Sequence, residues 1–246
     1  MDSYNHRAQK ALKKWQKKMY LSPSFMDKTT KKVQDQFNQM LPERYHQFMT
    51  ESIKHMTQGV LLGSQYITHT PYKNLSLIER DDFLKEKTKL YSKVAMAEGI
   101  GTGAGGILLG FADFPLLLSI KIKFLYDIAA VYGFDTNDYR ERLYILYIFR
   151  LAFASKPKMQ EVLEIMKNWD SYVKSLPYDM NSFDWRTFQQ EYRDYIDLAK
   201  LLQLVPGIGA IVGAYVNTKL INQLSTTAMY AYHLRLLQDQ IKYIKL

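Results

Sequence analysis

Residues Glu98 to Pro115 read Glu-Gly-Ile-Gly-Thr-Gly-Ala-Gly-Gly-Ile-Leu-Leu-Gly-Phe-Ala-Asp-Phe-Pro, and six of the chain's 12 glycines stand among them, at 99, 101, 103, 105, 106 and 110. Each glycine inside a helix costs roughly 1 kcal/mol relative to alanine. A helix with several must recover that free energy through close packing, an unusual backbone or a bound group. Residues 99–112 carry no charge, and Glu98 and Asp113 stand at the two ends of the block. A second uncharged stretch, Leu201 to Thr218, contains Pro206, Gly207, Gly209 and Gly213. In both, glycines recur at spacing four (99/103, 101/105, 106/110, 209/213), with 59/63 as an earlier case. That spacing stacks them on one helix face and lets two backbones approach closely.

The remaining pattern is helical, with no convincing alternation of the strand type. Tyr4, Ala8, Ala11, Leu12, Trp15 and Met19 share one face of a first helix, and the basic residues mostly lie elsewhere. A second helix is expected from Asp27, and a third after Pro42, running through Gly59 and Gly63 to about Ile67 before Thr70-Pro71 breaks it. Ser76-Leu-Ile-Glu79 has the form of a capping box, and the helix it opens runs into the Gly block. Pro115 restarts a helix to about Tyr132, and Gly133-Phe-Asp-Thr reads as a stop followed by a new N-cap. Further helices are expected over 137–154, 157–169 and 185–202, with a last long one over 208–242. The expected fold is all-α: a compact multi-helix domain with the two Gly-rich apolar segments packed together and a basic amphipathic N-terminal helix. Residues 1–35 read as a basic arm and 36–246 as the helical domain.

With 246 residues, 47 % of them apolar, the chain can bury a sizeable core. It has no cysteine, which excludes disulfides, thiolate metal sites and cysteine nucleophiles and suits an intracellular protein. The polar start, Met-Asp-Ser-Tyr-Asn-His, has no apolar secretory core, so the cytoplasm or its membrane face is the expected location. Of the net charge of +9, +6 sits in residues 1–35, where nine Lys and Arg face three Asp. Arg7, Lys10, Lys13, Lys14, Lys17 and Lys18, with Trp15, are the candidate membrane-binding residues, and an anionic membrane surface is the expected partner. Nucleic acid is not expected, because aromatic residues are not interleaved with the lysines as on a base-stacking platform. The Gly blocks admit three readings: a buried helix pair, a shallow insertion or a true span. The first block is short of the ~20 apolar residues a span needs unless it buries Asp113, and the second is broken by Pro206.

Gly101-Thr-Gly-Ala-Gly-Gly106 matches the dinucleotide fingerprint, but a helical pattern precedes it where a strand is required, so no such cofactor is expected. Glu98 and Asp113 could converge for acid–base work or cation binding, or each could cap a helix. The five histidines form no metal motif; Glu51 and His55 are one turn apart without the second histidine of a zincin. Neither a metal nor a cofactor is expected.

Ala97-Glu-Gly-Ile-Gly-Thr-Gly-Ala-Gly-Gly, Ala112-Asp-Phe-Pro-Leu-Leu, Ile128-Ala-Ala-Val-Tyr-Gly-Phe-Asp135 and Leu198-Ala-Lys-Leu-Leu-Gln-Leu-Val-Pro-Gly-Ile-Gly-Ala-Ile-Val-Gly-Ala together resemble the signature elements of the EcsC family. The resemblance extends over nearly all of the chain beyond the basic arm. It implies functional positions at Glu98, Gly99, Gly103, Gly106, Asp113, Pro115, Gly133, Asp135, Pro206, Gly207, Gly209 and Gly213. Phe114 departs from it, where a small aliphatic residue is expected. No activity, cofactor or catalytic set comes with the resemblance. It does imply gene neighbourhood with an ABC transporter pair, EcsA and EcsB. The expected function is therefore a non-enzymatic, membrane-peripheral accessory protein. The alternative is an enzyme acting on a lipid or lipid-linked substrate with Glu98 and Asp113.

Overall fold

The computed structural model describes residues 3–21, 43–63, 70–103, 114–177 and 210–244. Among these the protein is all-α, with eight helices and no strand. They are α1 (Ser3–Tyr20), α2 (Glu43–Leu62), α3 (Leu77–Gly103), α4 (Phe114–Val131), α5 (Tyr139–Phe153), α6 (Lys156–Lys167), α7 (Trp169–Ser175) and α8 (Ala210–Ile244). The expected helices from Asp27 and over 185–202, and the break at Pro206, lie outside the described residues.

Helix α5 is the centre of the core. Every residue from Arg142 to Phe153 is buried, with α2, α4, α6 and α8 packed around it. The longest helices, α3 and α8, form the most extensive pair and run antiparallel. Asp81 of α3 meets His233 of α8 at 2.8 Å, and further along α3 and further back along α8 the hydroxyls of Thr88 and Ser225 meet at 2.7 Å. Helix α1 lies on α8, α3 and α6. Its Ala8 and Leu12 are buried, Tyr4 and Met19 pack against the core, and the Trp15 ring stacks on Tyr230 at 4.9 Å.

Local chemistry explains the helix ends. The box at the start of α3 forms in both directions: Ser76 N donates to Glu79 Oε2 at 2.7 Å, and Glu79 N to Ser76 Oγ at 3.5 Å. Helix α4 ends in a Schellman turn at Gly133, φ +90°, where Phe134 N donates to Ala129 O and Gly133 N to Ala130 O, both at 2.9 Å. The N-cap of α5 is Asp138, just beyond the Gly133-Phe-Asp-Thr stretch where a cap was expected, and it accepts from Arg140 N. Asp135 instead accepts from Asn137 N at 2.9 Å and closes the turn between Gly133 and the cap.

Helix α2 stops five residues earlier than its pattern suggests. Gly63 adopts φ +72°, and the Arg142 side chain crosses the helix end to donate from Nε to Leu61 O at 2.9 Å. The same guanidinium donates to Thr136 O and Asn137 O at 2.8 and 2.7 Å, tying the α2 terminus to the α4–α5 turn. A terminal carbonyl with no helical partner is thereby satisfied by a buried cation. A Cβ at Gly63 would lie 2.6 Å from Arg142 Cδ, and the left-handed backbone adds its own strain. Gly63→Ala should lower unfolding stability in urea by about 2 kcal/mol; a wild-type midpoint would mean that Arg142 is not held there.

Candidate functional site

The sequence-predicted residues separate into two groups at different places. The first group lies on α1. At 3.6 residues per turn, Arg7, Lys10, Lys13, Lys14, Lys17 and Lys18 fall within an arc of about 140°, roughly opposite the docked face. All six are exposed, no acidic residue occurs in α1, and none of the six forms an ion pair among the described residues. Trp15 belongs to the other face, against Tyr230, so in this fold its ring contributes to docking α1.

The second group surrounds the Gly blocks. Gly99 and Gly103 are in the last turns of α3, with Glu98 beside them in the helix, and Gly213 is in the first turn of α8. Gly106, Asp113, Pro206, Gly207 and Gly209 lie outside the described residues, as does any meeting of Asp113 with Glu98. Pro115 is exposed in the first turn of α4 and borders an open groove of about 490 Å³ between α2 and α4. Phe48, Met56 and Leu118 give this groove apolar walls, with Glu51, Ser52 and His55 at its edge. Glu51 and His55, noted for their spacing, approach to 3.3 Å on the surface of α2. No three His, Asp or Glu side chains among the described residues are placed to hold a metal, and no described helix is long and apolar enough to cross a membrane.

Sequence reasoning missed the strongest polar centre, which joins four helices. Asp81 on α3 is 2 % exposed. Its Oδ2 accepts from the Tyr4 hydroxyl of α1 at 2.6 Å. Its Oδ1 accepts from the Tyr132 hydroxyl, just past α4, at 2.5 Å and pairs with His233 Nε2 of α8 at 2.8 Å. Burial works against ionisation of Asp81, but the hydrogen bond and electrostatic interaction with His233, then the Tyr132 and Tyr4 hydroxyls, outweigh it and hold the carboxyl below the ordinary aspartate range. Burial and the neighbouring carboxylate push Tyr132 and Tyr4 up, so both remain donors at neutral pH. An ionised carboxylate only accepts, so His233 Nε2 carries the proton of that bond. His233 Nδ1 is buried with no hydrogen-bond partner. The only advance signals were an aspartate inside the first turns of α3 and a histidine in an apolar run, 152 residues apart.

A second buried carboxylate, Asp127 on α4, holds α3 in the same manner. It pairs with Lys123 at 2.6 Å and Lys87 at 3.3 Å and accepts from the Tyr91 hydroxyl at 2.9 Å. Burial opposes its ionisation too, and Lys123, Tyr91 and Lys87 reverse the balance, so its carboxyl also lies low. Both groups are acids with folded pKa values below their unfolded ones. Their stabilisation is complete above the unfolded value near ~4 and is lost as pH falls through the folded values. Asp81→Asn should cost about 3 kcal/mol at pH 7, because the uncharged amide breaks a buried charged network. It should also flatten the loss of stability below pH ~4. Urea unfolding at neutral and acidic pH checks both, and equal stability of variant and wild type would show that the network contributes nothing.

A profile of the EcsC protein family matches residues 6–237, which includes most of α1 and of α8. Protein EcsC of Bacillus subtilis (strain 168) is 45 % identical over 226 residues, covering 92 % of this chain and 93 % of that protein. The uncharacterized protein YdbA of the same organism is 27 % identical over 224 residues, covering 90 % of this chain and 82 % of YdbA. No solved structure matches. Matched over nearly its whole length by the family profile and by a 45 % identical relative, the chain belongs to the EcsC family.

Proposed function

We propose that this EcsC-family protein is a non-enzymatic accessory protein on the inner face of the cell membrane, held to anionic lipid by the outer face of α1. The observation that carries this reading is the division of α1 into a docked apolar face and six exposed cations with no acid among them. Each Lys or Arg brought near an anionic surface contributes about 1 kcal/mol, and the attraction fades within a Debye length. Six on one helix face suffice for binding that is strong at low salt and weak at high salt. Because Trp15 and Leu12 are engaged with the protein's own core, this contact works through charge.

The α3–α8 register supports a packed role for the Gly blocks. The Asp81–His233 and Thr88–Ser225 contacts fix the two helices antiparallel, so the Gly-rich end of α3 lies at the same end of the pair as the first turn of α8. The gene neighbourhood that the family resemblance implies would set such a protein beside the EcsA/EcsB transporter on the membrane surface.

Flotation with vesicles tests the reading. The protein should float with phosphatidylglycerol-containing vesicles at low salt, not with pure phosphatidylcholine, and high salt should release it. Replacing Lys10, Lys13, Lys14 and Lys17 with Gln should abolish low-salt flotation without changing the thermal midpoint, since all four side chains are exposed. Unchanged partitioning of the variant would remove α1 as the contact.

A further inference from the structure

The Gly-rich end of the α3–α4 pair carries a concentration of exposed apolar surface. Leu90, Val94 and Met96 on α3 are 54 %, 40 % and 42 % exposed, and Leu116 on α4 is 53 % exposed. The two helices run antiparallel here: Lys87 and Tyr91 hold Asp127, and the Tyr91 ring meets Phe124 edge-on at 5.3 Å. Advancing along α3 therefore moves back along α4, and the C-terminal half of α3 arrives beside Leu116. Leu90, Val94 and the exposed Ala97 follow one another at helical spacing, so they form a stripe.

Scattered exposed leucines need no explanation, but an apolar stripe along the C-terminal half of a helix, with a further exposed leucine on the helix beside it, does. Their charged surroundings indicate the occupant. Lys89 and Lys93 flank the stripe, both exposed and without an ion pair among the described residues. No acidic residue occurs between Glu86 and Glu98. Apolar residues bordered by unpaired lysines suit the boundary between anionic head groups and acyl chains. Lys85, at the start of the same row, is paired with Asp82 at 2.7 Å, so the unpaired cations beside the stripe are Lys89 and Lys93.

We infer that the stripe Leu90–Val94–Ala97, with Leu116, inserts shallowly into an anionic bilayer. The inference rests on the membrane reading above and adds a second, apolar contact to it. The α1 lysines bring the protein to the surface, and the stripe adds affinity once it is there, too little to hold the protein when high salt removes that attraction.

The absence of cysteine allows a direct test. Val94→Cys places a single thiol in the stripe for an environment-sensitive dye, and Ser171→Cys on α7 is the exposed control. With phosphatidylglycerol-containing vesicles, the dye at 94 should shift to the blue and be quenched by lipids brominated along their acyl chains, while the dye at 171 should not respond. Leu90→Gln and Val94→Gln should each weaken vesicle affinity roughly fivefold with an unchanged thermal midpoint. A dye at 94 that stays in water while the protein floats overturns this inference and leaves the α1 contact standing. A dye at 94 in lipid, with the α1 lysine variant floating like wild type, sustains this inference and overturns the α1 contact. A blue shift that appears without vesicles and grows with protein concentration overturns it in favour of a second copy on the stripe. No flotation under any condition overturns both.

Discussion

A single buried carboxylate organises this molecule. Asp81 receives hydrogen bonds from α1, from the end of α4 and from α8 while standing on α3. Such a group is costly to bury alone and favourable only when every lone pair is answered. The requirement therefore runs both ways: α3 can bury Asp81 only if the other three elements are in place, and they are held in register by the same atom. The aromatic layer beside it extends the constraint. Tyr132 and Tyr232 stack at 5.0 Å, Phe134 and Tyr232 at 5.2 Å, and the Tyr144 hydroxyl donates to Ala231 O of α8 at 2.6 Å. Many of the 19 tyrosines are thus core residues whose hydroxyls satisfy buried carbonyls and carboxylates.

What could be read in advance was local. The capping box at Ser76, the left-handed stop at Gly133, the division of α1 into two faces and the long final helix all follow from residues within a few positions of one another. The early stop of α2 was not local. Gly59 and Gly63 have the spacing of a helix stripe, and nothing near them announces that Arg142 will cross the helix end. Gly133-Phe-Asp-Thr announced a stop and a new cap; the chain makes one extra turn and gives that cap to Asp138. The Asp81–His233 contact has no sequence signature at all, since its members are 152 residues apart and each sits in an otherwise ordinary helical pattern. The basic face of α1 was legible, whereas the use of Trp15 for docking depended on Tyr230, far along the chain.

Architecture and proposed role meet at α1. A free amphipathic helix would present its apolar face to lipid, but here that face is spent on α8, α3 and α6, and a hydrogen bond from Tyr4 to the buried carboxylate anchors its N-terminal turn. The lysines are therefore displayed by a folded surface, and membrane contact need not uncover the core. Helix α3 repeats the theme at larger scale, with its inner face fixed by Asp81, Thr88 and Asp127 partners and its outer face carrying lysines beside exposed leucine and valine.

The central claim is that α1 stays docked while its cationic face meets anionic lipid. Amide hydrogen exchange of the intact protein, with and without phosphatidylglycerol-containing vesicles, tests it most directly. The account predicts that α1 and the stretch of α8 beneath it, around Tyr230 to His233, exchange on vesicles as slowly as in solution or more slowly. Faster exchange in that stretch of α8 on vesicles alone would mean that α1 leaves the body to bind lipid, and would contradict the account.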